Sequence, residues 1–261
     1  MRIGVSVACL YPMKTEEAFL HCAQLGIDTI EIFFNSACEL DGPVLEKIKA
    51  IQKEYNIFVP AVHPFTSFAE PYFLFSAYER RFHDAREAYK RYYETAAALG
   101  AEVVVLHGDT GDTCSLEEYC RRFALLREDA AQCGICLAQE NVVRYRSGDP
   151  HFIRGMREIL QDNVEFVLDI KQARRAGYSP FALWEAMGDR LRHIHLSDHN
   201  DQHSCMLPGE GNFDFRKLGD LLRKQNYSGS AVLELYREDF TEISSLGKSV
   251  QFLKENIGRS A

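Results

Sequence analysis

Short apolar, β-branched runs alternate with amphipathic stretches from one end of this chain to the other. The runs cover residues 3–8, 29–34, 57–63, 103–107, 135–140, 165–169, 191–196 and 231–235, lengths that suit buried strands. Helical periodicity fills the gaps, over 15–25, 43–55, 77–99, 115–133, 150–160, 180–187, 215–225 and 242–257. Boundary chemistry supports the division. Leu25-Gly26 and Leu99-Gly100 end helices on a glycine free to turn left-handed. Ser115-Leu116-Glu117-Glu118 has the form of a capping box, and Ser179-Pro180 places proline in a first helical turn.

Strand then helix, eight times over, calls for parallel strands joined by crossovers. Closing that sheet gives an α/β fold of the (β/α)8 TIM barrel type, expected as one domain over 1–261. An open doubly wound sheet is the competitor, but no Gly-x-Gly-x-x-Gly follows the first strand. The longest loops follow strand three (64–76) and strand seven (198–214). In barrels, loops on that side build the active site.

Composition changes this picture little. At 261 residues, 46% of them hydrophobic, the chain can fill one large core. The net charge of −8 disfavours a broad nucleic-acid surface. The apolar start is short and runs at once into Tyr11-Pro12, Lys14, Glu16 and Glu17, unlike a secretory signal. No stretch approaches the ~20 apolar residues of a membrane span. The expectation is a soluble cytoplasmic protein with no membrane partner. The eight cysteines are then reduced. Cys133-Gly134-Ile135-Cys136 has redox-motif spacing, but Cys136 opens a strand rather than a helix, which argues for core thiols.

The informative pattern lies at the strand ends. Strand three ends in His63, strand four in His107, strand five in Glu140 and strand six in Asp169. Strand seven carries His193 and His195, and strand eight carries Glu234. These ends ring one mouth of the barrel. Burying that many carboxylates together is costly unless a cation compensates them. The mixed oxygen and imidazole set suits Zn²⁺ or Mn²⁺ first, with Co²⁺ or Mg²⁺ as alternatives, and the lack of thiolates argues against a structural zinc. His193 and His195 share a face, and His195 is nearer the rim. His195 is therefore the expected ligand and His193 a supporting or core residue. A rim of unrelated salt bridges is the bland alternative.

Three segments carry a resemblance. They are His193-Ile194-His195-Leu196-Ser197-Asp198, then Leu207-Pro208-Gly209-Glu210-Gly211-Asn212-Phe213-Asp214-Phe215, then Tyr227-Ser228-Gly229-Ser230-Ala231-Val232-Leu233-Glu234. Together they resemble the xylose isomerase-like barrel superfamily of sugar phosphate isomerases and epimerases, which also includes endonuclease IV. The ketose 3-epimerases of that superfamily hold one metal by Glu, Asp, His and Glu from strands five to eight. The matching positions are Glu140, Asp169, His195 and Glu234. The resemblance implies a sugar substrate whose carbonyl and hydroxyl bind the metal. It also implies proton removal by one of Glu140 and Glu234 and return by the other, through an enediolate. A homo-oligomer is compatible with it.

Endonuclease IV, a phosphodiesterase that acts on abasic sites, is the rival. Its zinc cluster also uses histidines that His63 and His107 match, so a second metal held with their help stays open. So does a plain pocket role for the two. Its third metal needs a histidine where Gln172 stands, and an amide is a poor zinc ligand. Asp201-Gln202-His203 echoes that site at a different spacing. A non-catalytic sugar-binding barrel is the third reading.

Lys171 and Arg237 follow the ligand positions closely and are the expected substrate-binding cations; Arg144 and Arg146 are further candidates, against the alternative of solvated loops. Arg174 and Arg175 are expected on an exposed turn. Glu31 is expected to point into the barrel and hold a pocket arginine or lysine, or to satisfy a core hydrogen bond. The aromatic loop with Phe65, Phe68, Tyr72, Phe73, Phe75 and Tyr78 suits a lid, a subunit contact, a stacking surface or, most often for such residues, core packing.

Overall fold

The computed structural model describes residues 1–111 and 114–258. Eight parallel strands close on themselves in chain order. They are β1 (Arg2–Ser6), β2 (Ile30–Phe33), β3 (Ala61–His63), β4 (Val103–Leu106), β5 (Cys136–Glu140), β6 (Glu165–Asp169), β7 (Leu191–Leu196) and β8 (Ser230–Leu233). The seam is closed by β1 on β8, with Arg2 opposite Ser230 and Val5 opposite Leu233. This is a single-domain TIM barrel.

Strand parity sorts the side chains. Val62, Val104, Leu106, Leu137 and Leu168 join the main core under the helices. Ala61, Val103, Val105, Ala138 and Val167 form a separate cluster inside the barrel. Two residues further along the same inward rows stand His63, His107, Glu140 and Asp169. Small apolar residues thus floor one side of the interior and leave the mouth to polar groups.

Around the barrel lie α1 (Thr15–Gln24), α2 (Gly42–Tyr55), α3 (Glu70–Phe73), α4 (Glu79–Ala98), α5 (Leu116–Gln132), α6 (Pro150–Leu160), α7 (Ile170–Arg175), α8 (Pro180–Met187), α9 (Phe215–Lys224) and α10 (Ser244–Ile257). Gly26 and Gly100 are left-handed, at φ 78° and 67°, as their positions after α1 and α4 demand. Ser115 caps α5 by accepting the Glu118 N–H at 3.2 Å, but the Glu118 carboxylate turns to Arg121 and Arg122 instead of completing a box.

Two departures from the periodicity matter. The third strand is three residues long instead of seven, because Pro60 has no N–H for the ladder. The loop behind it folds a short helix, α3, that the apolar pattern does not reveal. Its aromatics divide: Phe75 is buried and stacked 4.2 Å from Tyr119, whereas Phe68, Tyr72, Phe73 and Tyr78 are exposed. No helix among the described residues is long and apolar enough to cross a membrane. Cys133 and Cys136 are free thiols.

Candidate metal centre

The four strand-end residues Glu140, Asp169, His195 and Glu234 meet: each offers a ligand atom, and these atoms lie within 4.8 Å of one another. His195 is the hub. Its Nδ1 lies 2.9 Å from Glu140 Oε1, 2.6 Å from Glu234 Oε2 and 3.6 Å from Asp169 Oδ2. Its other nitrogen, Nε2, lies 3.1 Å from Glu31 Oε2, so Glu31 fixes the ring with Nδ1 toward the carboxylates.

Glu31 is fully buried, as parity requires, but its partners are two imidazoles. The same Oε2 also meets His193 Nε2 at 2.9 Å. Among the described residues no lysine or arginine forms an ion pair with it; the His193 and His195 rings take that place. His193 therefore lies one layer below the mouth, and burial lowers its pKa.

The backbone behind the quartet is stapled by amides. Asn141 Nδ2 donates to Asp169 O (2.9 Å) and its Oδ1 accepts the Asp169 N–H (2.7 Å). Gln139 Nε2 donates to the carbonyls of Leu106, His107 and Glu140. Cys9 brackets Glu234, its thiol facing Leu233 O and accepting the Leu235 N–H at 3.2 Å. Burial pushes that thiol up to about 12, which keeps it neutral. The loop after β7 is organised by Asp198, whose carboxylate accepts the N–H groups of His199, Gly209, Gly211 and Phe213. In the sequence, the amides flanking Glu140 (Gln139 and Asn141) and Asp198 ahead of the Gly209-Glu210-Gly211 turn are the signals that could have pointed to these roles.

Charge at the centre is unbalanced. Burial works to raise Glu140 and Glu234. For Glu140 the His195 charge and the close imidazoles of His107, His195 and His63 outweigh it, and the carboxyl sits well below its usual range. For Glu234 the His195 and Lys171 charges bring it down to about 2. One imidazole nitrogen has a single hydrogen to share among three carboxylates. Glu140 Oε2 and Glu234 Oε2 are buried, with imidazole nitrogens 3.0 and 2.6 Å away but no well-directed hydrogen bond, at a cost that a cation removes. Oxygen and imidazole donors in this number fit a divalent ion.

His63 and His107 form an adjoining group with Glu140. The two Nε2 atoms are 3.1 Å apart, and they lie 3.5 and 3.0 Å from Glu140 Oε2. Phe33 stacks on His63 at 4.5 Å. Beneath them is Glu70 of α3, which apolar periodicity does not single out because the helix is only four residues long. It accepts the Tyr89 hydroxyl (2.6 Å) and the Gly108 N–H (2.5 Å), and burial pushes its carboxyl up to about 7.

The cations fare differently. Lys171 is brought into the centre, on Asp169 Oδ2 and 3.3 Å from Glu234 Oε1. Arg237 is not: it donates to Phe240 O (2.7 Å) and Thr241 O in its own turn. Arg146 donates to Cys114 O, and Arg144 is exposed. Arg174 and Arg175 fall in α7 rather than a turn, and Arg175 binds the Tyr236 hydroxyl. Gln172 accepts the Val143 N–H through Oε1, and Asp201 and His203 lie exposed on a turn held by Asn200 Oδ1.

A family model described as Xylose isomerase-like TIM barrel matches residues 19–256. The chain belongs to this family. Among curated relatives, the uncharacterized protein ML2432 of Mycobacterium leprae is 25% identical, with 99% of each chain covered. The 3-dehydro-D-guloside 4-epimerase of Escherichia coli K12 is 24% identical over 90% of this chain and 92% of its own. Among solved structures, a D-tagatose 3-epimerase-like protein matches with a TM-score of 0.79 at 24% identity, covering 99% and 97% of the two chains.

Proposed function

We propose that this chain is a divalent-metal-dependent isomerase or epimerase of sugars, with Glu140, Asp169, His195 and Glu234 holding the ion. The observation that carries the reading is the quartet with its unbonded Glu140 and Glu234 oxygens. Similarity to a sugar epimerase along 90% of the chain supports it. Zn²⁺ or Mn²⁺ suits the donors first, with Co²⁺ or Mg²⁺ as alternatives. When bound, the ion supplies Lewis acidity that eases removal of a proton beside a sugar carbonyl.

The chain's own residues supply the rest. Glu140 and Glu234 come from different strands: one, as the carboxylate, takes the proton, and the other, carrying a proton of its own, returns that proton to the sugar, so a turnover leaves their protonation states exchanged. Glu31 keeps His195 from turning, and Asn141 keeps Asp169 at the rim. Arg237, Arg146 and Arg175 are each committed to internal partners, which favours an unphosphorylated sugar.

The test is solvent exchange. Protein loaded with Mn²⁺ in D₂O is expected to wash deuterium into a ketose beside its carbonyl, read by proton NMR. Retention of full exchange in Glu140→Gln and Glu234→Gln would sink the mechanism. A second reading rests on the His63, His107 and Glu140 group: a dinuclear centre with phosphodiesterase chemistry. Incision of abasic-site DNA without sugar exchange would favour it. Commitment of the Gln172 amide to Val143 weighs against a third metal on that side.

A further inference from the structure

Asp169 has two oxygens to offer, and each already has a partner. Oδ1 accepts the Gln172 N–H at 2.8 Å and so caps α7. Oδ2 accepts the Lys171 ammonium. The same Nζ lies 3.3 Å from Glu234 Oε1 and 5.8 Å from the centre of the Tyr236 ring. Only 2% of the Lys171 side chain reaches solvent. An ammonium held this far from water is expensive unless carboxylates compensate it, and here two of the three carboxylates of the quartet do so.

A divalent ion in the quartet needs those same oxygens, above all Asp169 Oδ2, since Oδ1 is spent on the helix cap. Two cations a few ångströms apart in a buried site repel strongly. We propose that Lys171 is an internal competitor for the metal: its ammonium neutralises Asp169 and Glu234 until a divalent ion takes them, and so sets the affinity of the centre. The inference rests on the quartet being a metal centre. Two other roles for Lys171 predict different signs. A lysine that merely supports a ligand carboxylate strengthens metal binding, and one that serves only substrate leaves it unchanged.

Titration of the metal-free protein with Mn²⁺ by calorimetry separates these. Lys171→Met is expected to bind at least about tenfold tighter than wild type, and Lys171→Arg, which keeps the charge, to bind no tighter than wild type. The metal-free Lys171→Met protein is expected to melt lower and to gain more in Tm on adding Mn²⁺. Unchanged or weaker binding by Lys171→Met, with wild type still binding, overturns this inference alone. No binding by either protein overturns the metal centre and the inference together. Should Lys171→Met fail to fold, amine labelling of wild type read by mass spectrometry decides. Lys171 is expected to be protected without Mn²⁺ and labelled with it, and protection that persists in the metal-saturated protein refutes the competition.

Discussion

The two halves of the barrel mouth are built from the same residue types and differ in how their charge is balanced. On the β5–β8 side, three carboxylates share one imidazole and one ammonium, and Glu234 Oε2 is buried without a hydrogen bond. On the β3–β4 side, two imidazoles face a single oxygen of Glu140. The carboxylate of that half, Glu70, is turned beneath them and holds two donors. One half carries an excess of carboxylates; the other sets two imidazoles against one carboxylate oxygen, with His63 Nδ1 buried and without a hydrogen bond. Carboxylates and imidazoles at the strand ends of a sequence therefore do not by themselves define equivalent sites, because the balance depends on what lies beside and one layer below them.

The sharpest way to break the comparison is to neutralise each half in turn. Glu140→Gln and Glu234→Gln are expected to lower sugar proton exchange by about 10²–10⁴-fold, the range for losing a general acid or base. Asp169→Asn should abolish high-affinity Mn²⁺ binding in calorimetry. His63→Ala and His107→Ala act on the other, imidazole-rich half. Each is expected to cost exchange about tenfold, the lower end of losses at residues that support a metal ligand, and to leave one Mn²⁺ per chain. A count of two ions in wild type falling to one in His63→Ala would erase the distinction between the halves. Metal removal tests the deficit directly. Chelation should lower Tm, and Mn²⁺ at a hundred times its Kd should restore about 2.7 kcal/mol of stability, measured by denaturant titration.

Legibility in the sequence follows the same divide. Glu140, Asp169, His195 and Glu234 could be read because alternation along a strand sends every second side chain inward and the last of them reaches the rim. The barrel itself was legible from the repeated strand and helix pattern. Arg237 shows where such reasoning stops: proximity to Glu234 in the chain says nothing of where a long side chain turns, and this one folds back on Phe240 O. Cys9 lies 226 residues from Leu235, whose N–H it accepts, a contact made only when β1 closes on β8. Glu70 is hidden for a different reason. It stands in a four-residue helix too short to show a period, and its partners come from α4 and the turn after β4.

Glu70 also yields the smallest effect, and one that sharpens the comparison without touching the quartet. Its carboxyl is raised by burial to about 7 from the ordinary value of 4.5. Between those two values the folded chain binds the proton more tightly than the unfolded chain. The Glu70 contribution to stability is therefore fully present below about pH 4.5 and is lost as pH rises through 7. Glu70→Gln removes the ionisation while leaving an oxygen to accept the Gly108 N–H and an amide that the Tyr89 hydroxyl can accept. Relative to wild type, the variant should gain on the order of 1–3 kcal/mol between pH 5 and 8, read as a difference in urea midpoints at the two pH values. A wild-type stability profile parallel to that of Glu70→Gln across this window would mean that Glu70 is ionised throughout, and that the β3–β4 half is no less charged than its neighbour.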